Sequence, residues 1–529
     1  MSKSVVIAPP YKGQNDQYPL AVIQSPYCAR MQNFYPEGSS VRLRNGNTKF
    51  GYIELANTAV MLNVAAYGTT AIIVLYQASG PGQLTWNNMT AGGAGTIVHT
   101  PALATGDDEI HTLYYYGVLF YFGEASLAAG GSAGPQQFNG TAWGAATYTW
   151  PASFNPFGGC VHKSRAYFIG RASAAYGYSG IDSVSGVVTK VDLAGFLSTK
   201  ADLYIIRSVS MSENVTQENI AAFIFSNGEV LAFGGNYPDS STWGLVARFR
   251  ISNPIYQNSF CDAKGDSFIF TETEILSLRN LFIGGYSNER INGIGAAIKN
   301  RYSQIIAGIK ATGPSLIKLV KGIYDDKNDR LIISFPLYVE LDSGTISSSR
   351  TLNLVYDFTV GAWYETFQVV EELGWTASAY YFDGEAYSLL TNTTGDGYLM
   401  EMESKTIFVD DRADTTGTIQ IDYVIESAPI NTTKFGVNTI DGFEVIMRSD
   451  ASSYAGAQFK LIADLGRQTT NSQIVIDQGT SIAKPMVNVG VTASFAQWSL
   501  SGVSGETSAE GIEIYALNVW YNEGQQGSR

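Results

Sequence analysis

The sequence predicts a mainly β chain: a β-propeller with an inserted amphipathic helix, followed by a C-terminal β-sandwich or barrel. Three observations predict it. The composition sets 32 Tyr, 26 Phe and 55 Gly against a charged fraction of only 15%, which favours strands and tight turns. From about Phe50 to about Met402 the chain is a succession of short apolar runs cut by Gly, Asn or Asp, and after Glu403 the runs alternate apolar with polar residues.

The hairpins come first. Asn45-Gly46 separates Val41-Arg-Leu-Arg from Lys49-Phe-Gly-Tyr, Asn227-Gly228 separates Ala221-Ala-Phe-Ile-Phe from Val230-Leu-Ala-Phe, and Asp383-Gly384 separates two further runs. Both dipeptides tolerate the positive φ angles of two-residue hairpin turns. Another hairpin is expected around Asp325-Asp-Lys-Asn-Asp329.

A loose repeat supports blades. Leu84-Thr-Trp-Asn-Asn, Phe138-Asn-Gly-Thr-Ala-Trp143 and Tyr356-Asp-Phe-Thr-Val-Gly-Ala-Trp363 each set an aromatic or apolar residue close to Asn or Asp, and the last two end a turn on Trp. A ring at that place can cover a sheet edge where one blade gives way to the next. The helical interruption spans residues 288–306, where Ile291, Ile294, Ile298, Tyr302 and Ile305 line one face. Such a stripe serves either core packing or subunit contact.

The organisation expected is an N-terminal extended segment with the first strands over 1–52, a propeller over 53–403, a polar, breaker-rich linker over 404–417 and a β domain over 418–529. The C-terminal strands are read from Thr418-Ile-Gln-Ile-Asp-Tyr-Val-Ile, Phe443-Glu-Val-Ile-Met, Gln458-Phe-Lys-Leu-Ile-Ala, Gln473-Ile-Val-Ile-Asp and Ile512-Glu-Ile-Tyr-Ala-Leu-Asn-Val-Trp.

Charge and cysteine usage exclude several classes. The net charge is −14, yet residues 1–55 hold six Lys/Arg against three Asp/Glu and residues 401–529 hold eight against sixteen. An acidic chain lacks the footprint of one that grips phosphates, although DNA could pass through it without tight binding. Cys28, Cys160 and Cys261 are odd in number and far apart, so no disulfide framework follows and buried thiols are expected. The start of the chain offers no signal peptide and no stretch reaches spanning length, which predicts cytoplasmic synthesis and no membrane.

Little material for catalysis is visible. His99, His111 and His162 occupy no ligand or triad spacing, Gly293-Ile-Gly295 lacks the third glycine of a dinucleotide loop, and no phosphate-binding loop occurs. The acidic sets Asp325/Asp326/Asp329 and Asp410/Asp411/Asp414 read as solvated turns rather than calcium ligands or glycosidase carboxylates. The expectation is a chain that is not an enzyme, with no cofactor, no metal and no catalytic residue.

A resemblance sharpens this reading. Ala8-Pro-Pro-Tyr-Lys-Gly13-Gln-Asn15, Ala29-Arg-Met-Gln-Asn33-Phe-Tyr-Pro36-Glu-Gly38 and Val41-Arg-Leu-Arg44-Asn-Gly46 resemble the opening of tail nozzle or tail hub proteins of short-tailed bacteriophages. Gly228-Glu-Val-Leu, Gly235-Asn-Tyr-Pro-Asp-Ser-Ser-Thr-Trp243, Phe249-Arg-Ile-Ser-Asn-Pro and Gly265-Asp-Ser-Phe-Ile-Phe-Thr271 resemble the family's mid-propeller run. The likeness covers about residues 8–402. Tyr256, Gln257 and Glu272-Thr-Glu depart from the family pattern, which bears on the phage group and not on the fold.

The resemblance implies a structural virion protein of a podovirus: a propeller subunit of the tail nozzle, in a hexameric ring beneath the portal and its head-to-tail adaptor proteins, with tail fibres or needle as further neighbours. It also implies a conduit that retains and then releases genomic DNA, and six copies at −14 each carry 84 negative charges. Arg30, Arg42, Arg44 and Lys49 are expected to dock this segment onto acidic surfaces of neighbouring subunits. The other reading of those residues is that they pin the first strands to the chain's own fold. A phage tailspike-like carbohydrate-binding or depolymerising protein is the alternative function, since sugars stack on Tyr and Trp. A cell-surface propeller binding a protein or glycan is a further rival.

Overall fold

A computed structural model describes residues 3–523 apart from segments between strands, the longest being 100–109, 124–134, 211–218, 285–293, 370–378, 478–485 and 505–511. Seven sheets succeed one another among the described residues. Blade 1 holds Val60–Tyr67, Ala71–Gln77, Leu84–Met89 and Thr96–His99. Blade 2 holds Ile110–Tyr115, Val118–Gly123, Gln136–Phe138 and Trp143–Ala145, and blade 3 holds Pro156–His162, Arg165–Gly170, Ala175–Tyr178 and Thr189–Asp192. Blade 4 is Leu203–Ser210, Asn219–Phe225, Glu229–Gly234 and Gly244–Arg250; blade 5 has three strands, Phe260–Ala263, Asp266–Phe270 and Ile275–Ser277. Blade 6 is Lys321–Asp325, Arg330–Phe335, Arg350–Asp357 and Ala362–Val369. Blade 7 is Ala379–Phe382, Glu385–Thr391 and Asp396–Glu401, completed by a strand from the start of the chain.

The blades close into a ring. The first strand of each of blades 1 to 3 lies beside the first strand of the next; that of blade 4 meets Asp266–Phe270 of blade 5, and Phe260–Ala263 meets Lys321–Asp325. That strand meets Ala379–Phe382, which returns to Val60–Tyr67. Strand β5 (Thr48–Glu54) supplies the fourth strand of blade 7, with Tyr52 facing Tyr398. Closure leaves few free sheet edges. The cores lie between blades: Phe120, Phe122, Tyr148 and Phe168 fill one seam, and Tyr167, Tyr176, Phe223 and Leu231 the next.

The Trp turns are third-to-fourth-strand hairpins. Phe138 faces Trp143 and Tyr356 faces Trp363 across them. The Asn139 side-chain oxygen accepts the N–H groups of Thr141 and Ala142 at 3.0 and 2.8 Å, and the Asp357 carboxylate accepts those of Thr359 and Val360 at 2.9 and 3.2 Å. Each polar residue thus satisfies the backbone of its own turn. Trp363 is buried and donates its indole N–H to the Ile294 carbonyl at 2.6 Å, and the backbone on the open side of its strand is met by Gly13 and Gln14.

The Asn227-Gly228 and Asp325–Asp329 hairpins form, with Ile224 facing Val230 and Asp325 facing Arg330. Phe382 faces Glu385 around Asp383-Gly384, which itself lies outside the described residues. The Asn45-Gly46 hairpin does not form. Strands β3 (Phe34–Glu37) and β4 (Ser40–Leu43) make the hairpin one turn earlier, at Gly38 with φ +60°, and β4 and β5 go to different sheets because Arg44 between them is buried elsewhere.

The helix runs Lys299–Thr312, later than expected, after a 3-10 turn at Ile294–Ile298. Ile298, Tyr302, Ile305, Ile306 and Ile309 are buried in the core shared by blades 5 and 6, while Ile291 lies outside the described residues. The stripe therefore serves the chain's own core. The 3-10 turn lies beside Ile275–Ser277, the last strand of the three-stranded blade.

The C-terminal domain is a sandwich, and the N-terminal segment is part of it. One sheet continues blade 6: Ala362–Val369 meets β2 (Cys28–Gln32) in parallel at Glu365 and Gln32, and Asp422–Ser427, Phe495–Val503, Gln458–Ala463 and Gln468–Gln473 follow in order. The other runs from β3 and β4 to Ile512–Glu523, Asn438–Ser449 and Met486–Thr492, with β1 (Lys3–Ile7) also on Ile512–Glu523. Tyr423, Trp498 and Leu500 of the first sheet share a core with Val445, Met447 and Leu517 of the second. The expected separation of 1–52 from 418–529 is thus revised, because the sandwich is completed only by strands from both chain ends. The same core takes in Ile332, Val355 and Tyr364 of blade 6. The expected linker carries a ribbon in which Val409–Asp411 pairs with Thr418–Gln420. No described helix is long and apolar enough to cross a membrane.

Candidate functional site

The charged N-terminal residues lead to the joint between propeller and sandwich. Arg44 is buried and donates Nη1 and Nη2 to the two Asp410 carboxylate oxygens at 2.8 and 2.6 Å, while its Nε reaches the Asn33 side chain at 2.9 Å. Asp410, expected in a solvated turn, is equally buried and also accepts the Asn47 N–H at 2.8 Å. Arg30 donates to Gln32 at 2.9 Å and Arg42 lies 3.8 Å from Glu37. Lys49 sits on β5, its side chain outside what the structure describes. Of the four residues expected to dock a neighbour, Arg44 is unavailable, since an arginine closed over its own carboxylate presents nothing outward.

A second buried network sits beside it. Glu365 of blade 6 accepts Nε and Nη2 of Arg301 at 2.7 and 3.0 Å, Gln32 at 3.0 Å and Gln14 at 3.3 Å. Burial alone would push its carboxyl up, but the Arg301 guanidinium and the Gln32 amide hold it below the usual carboxylate range. Asp16 receives the backbone N–H groups of Asn300 and Arg301 at the start of the long helix. Burial nevertheless raises its carboxyl to about 6, against those N–H groups.

The residues of the resemblance fall partly on these joints and partly inside blades 4 and 5. Gly13 has φ +72°, and a Cβ there would stand 2.3 Å from the Trp363 carbonyl oxygen. Asn33 has φ +57°, is buried and binds Arg44, the Phe367 N–H and the Asp422 carbonyl. Gly228 and Gly235 take positive φ where a Cβ would meet a carbonyl at 2.2 Å, and Asp266 accepts the Ser267 and Arg279 N–H groups. These motifs determine the fold; they do not outline a chemical centre.

The described histidines and the three thiols are buried. His162 is buried, its Nδ1 2.8 Å from Ser208 Oγ, and burial with Lys163 alongside pushes its imidazole down to about 4. His111 is buried against Phe157, and the side chain of His99 lies outside the description. Cys28, Cys160 and Cys261 are free and buried, and burial drives Cys160 up to about 12. Asp325 accepts Asn328 N–H and Nδ2 groups at 3.2 and 2.7 Å and is buried, while Asp329 takes Lys264 of blade 5 at 2.5 Å. Among the described residues no three His, Cys, Asp or Glu side chains gather as a metal site.

One surface feature escaped the sequence reading. The first hairpin of blade 2 carries Tyr114-Tyr115-Tyr116-Gly117, and Tyr114 and Tyr116 are 44% and 57% exposed. Tyr116 and Gly117 have φ of 45° and 74°, a two-residue turn of the kind that favours Asn-Gly. A tyrosine run ending on glycine was the available signal.

No family model matches the sequence, and no curated protein matches it. Among solved structures, YCF48 bound to D1 peptide is similar at 10% identity and TM-score 0.35, covering 68% of this chain and 96% of that one. The exo-β-1,3-galactanase of Phanerochaete chrysosporium with galactose is similar at 10% identity and TM-score 0.28, over 78% and 95% of the two chains. The Trypanosoma rangeli sialidase with 2,3-difluorosialic acid is similar at 9% identity and TM-score 0.31, over 89% and 97%. The expectation that the chain is not an enzyme is withdrawn on this finding, because two of these neighbours are glycosidases. At such identities and TM-scores they transfer neither activity nor substrate, and the propeller rests on the closed order of its own sheets.

Proposed function

We propose that this chain is a structural subunit of the tail of a short-tailed bacteriophage, a nozzle or hub component that joins copies of itself in a ring under the portal and adaptor proteins and passes genomic DNA. One observation supports the reading. The segment 8–46, which resembles the opening of such proteins, supplies Gly13, the Asn33 pivot and the Arg44 pair at the joint of propeller and sandwich, while 228–271 supplies the turn glycines Gly228 and Gly235 of blade 4. Two domains tied by buried charge pairs suit a subunit under load. Antibodies against the chain should decorate one end of short-tailed particles from cells that make it, and imaging should place a ring there. Particles that assemble fully without the chain would overturn the reading.

The second reading is a carbohydrate-binding surface protein, with or without cleavage. The exposed Tyr114 and Tyr116 rings favour it, because sugars stack their C–H faces on such rings. Binding of isolated chain to host surface polysaccharide tests it directly.

A further inference from the structure

We propose that the exposed tyrosines of blade 2, with Asp182 of blade 3, form a binding platform for a neutral saccharide. The inference rests on the second reading above and locates it. Tyr114 and Tyr116 lie two residues apart around the first hairpin of blade 2. Each is held from beside. The Tyr114 ring meets Tyr67 of blade 1 edge-on at 5.7 Å, and Tyr67 is fixed by donating its hydroxyl to the Gly117 carbonyl at 2.8 Å. Tyr67 also packs against Phe138 at 5.0 Å and lies against Gly140, where a Cβ would come within 2.5 Å of its hydroxyl oxygen. Tyr116 meets the Tyr115 ring at 4.7 Å and donates its hydroxyl to the Asp182 carboxylate. The rings are therefore exposed and positioned, so little side-chain freedom remains to be lost on binding.

Tyr116 and Asp182 are both non-glycine residues at positive φ, 45° and 49°. The bond between them ties blade 2 to blade 3 and accounts for a hydroxyl at this place, while the Tyr116 ring, 57% exposed, stands outside the core.

The chemistry selects the ligand class. Tyrosine rings offer apolar faces to the C–H side of a pyranose, and the Asp182 carboxylate accepts its hydroxyls. Tyr67, Tyr114, Tyr116 and Asp182 bring one carboxylate and no cation, which favours an uncharged sugar over a sialylated or phosphorylated one.

The test uses the full chain and a panel of neutral gluco- and galacto-oligosaccharides beside sialylated ones, read by calorimetry. At least one neutral oligosaccharide should bind, and Tyr114→Ala should weaken it tenfold or more. Tyr116→Asn should abolish binding while leaving the melting temperature within a few degrees, the relieved turn strain offsetting the lost bond to Asp182, which separates ring display from folding. The proposal fails if no neutral sugar binds at millimolar concentration, if only sialylated sugars bind, or if Tyr116→Asn binds like the parent. Incorporation of Tyr116→Asn into tails, scored in parallel, reports on the tail reading alone.

Discussion

Arg44 and Asp410 stand 366 residues apart and close a bidentate ion pair in which the two side chains are 2% and 3% exposed. The pair ties the segment between β4 and β5 to the ribbon that leads into the sandwich. Removing one partner of such a pair strands a buried charge, whereas replacing both with apolar groups of similar size does not. Asp410→Leu should destabilise the chain by about 3–5 kcal/mol, read by urea denaturation. Arg44→Met combined with Asp410→Leu should recover most of that loss. A double variant no better than the single one would show that the pair's value lies in its other hydrogen bonds.

Gly13 allows the N-terminal arm to reach blade 6, with Gln14 N–H bonded to the Trp363 carbonyl at 2.7 Å. A Cβ at that position meets the same carbonyl, and φ +72° disfavours any side chain. Gly13→Ala should cost about 1–3 kcal/mol and expose residues 8–27 to proteases well below the melting temperature. Pulse proteolysis followed by N-terminal sequencing checks it.

Stability should carry two opposing pH dependences. His162 has its pKa lowered to about 4, so its contribution is present above about 6.5 and is lost as pH falls towards 4. Asp16 has its pKa raised to about 6, so its contribution is present below 3.8 and is lost as pH rises through 6. Between pH 4 and 6 the two offset. His162→Gln should therefore make the melting temperature rise on acidification from pH 6.5 to 4, and Asp16→Asn should make it fall more steeply than in the parent. Identical profiles in all three proteins would contradict the assignments.

Much of the fold was legible in local sequence. Asn227-Gly228 announces its hairpin because Gly228 takes the left-handed position of the turn, φ +80°. The first hairpins of blades 2, 3 and 5 turn instead on Tyr116-Gly117, Lys163-Ser164 and Lys264-Gly265, where a non-glycine residue takes the left-handed region and no standard signal exists. Asn45-Gly46 misleads for the opposite reason, since the burial of Arg44 overrides its local preference. The destinations of β1 to β5 were not legible, because pairings such as Val41 with Ile514 have no local signature. The docking role expected of Arg44 came from counting charge without its distant carboxylate. Exposed tyrosines were invisible to composition, which counts rings without saying which face solvent.

Lys163 and Ser164, at φ 44° and 59°, make a testable exception to the usual turn preference. Lys163 donates to the Gly235 carbonyl of blade 4, which explains its retention, whereas Ser164 contributes its backbone carbonyl, which accepts the Tyr115 hydroxyl and the Asp182 N–H. Ser164→Gly keeps that carbonyl and relieves the left-handed strain, a gain of about 1 kcal/mol on the backbone preference alone. The net change in melting temperature should be positive. A clear loss would mean that the serine side chain has a role that its turn geometry does not reveal.

The propeller and the sandwich should unfold as one unit. Strands β1 to β4 complete the sandwich, β5 completes blade 7, and the sandwich core continues into Ile332, Val355 and Tyr364 of blade 6. A covalent cut between the two regions therefore severs one of several connections. A protease site placed between Asp411 and Thr418, once cleaved, should leave both fragments together through gel filtration, because the N-terminal strands still pair with Asp422–Ser427 and Ile512–Glu523. Calorimetry of the intact chain should show one transition with matching calorimetric and van't Hoff enthalpies. Fragments that separate without denaturant, or two resolved transitions, would mean that the shared core contributes too little to couple the domains. In that case Arg44→Met with Asp410→Leu should alter only the lower transition, which would assign the joint to one domain.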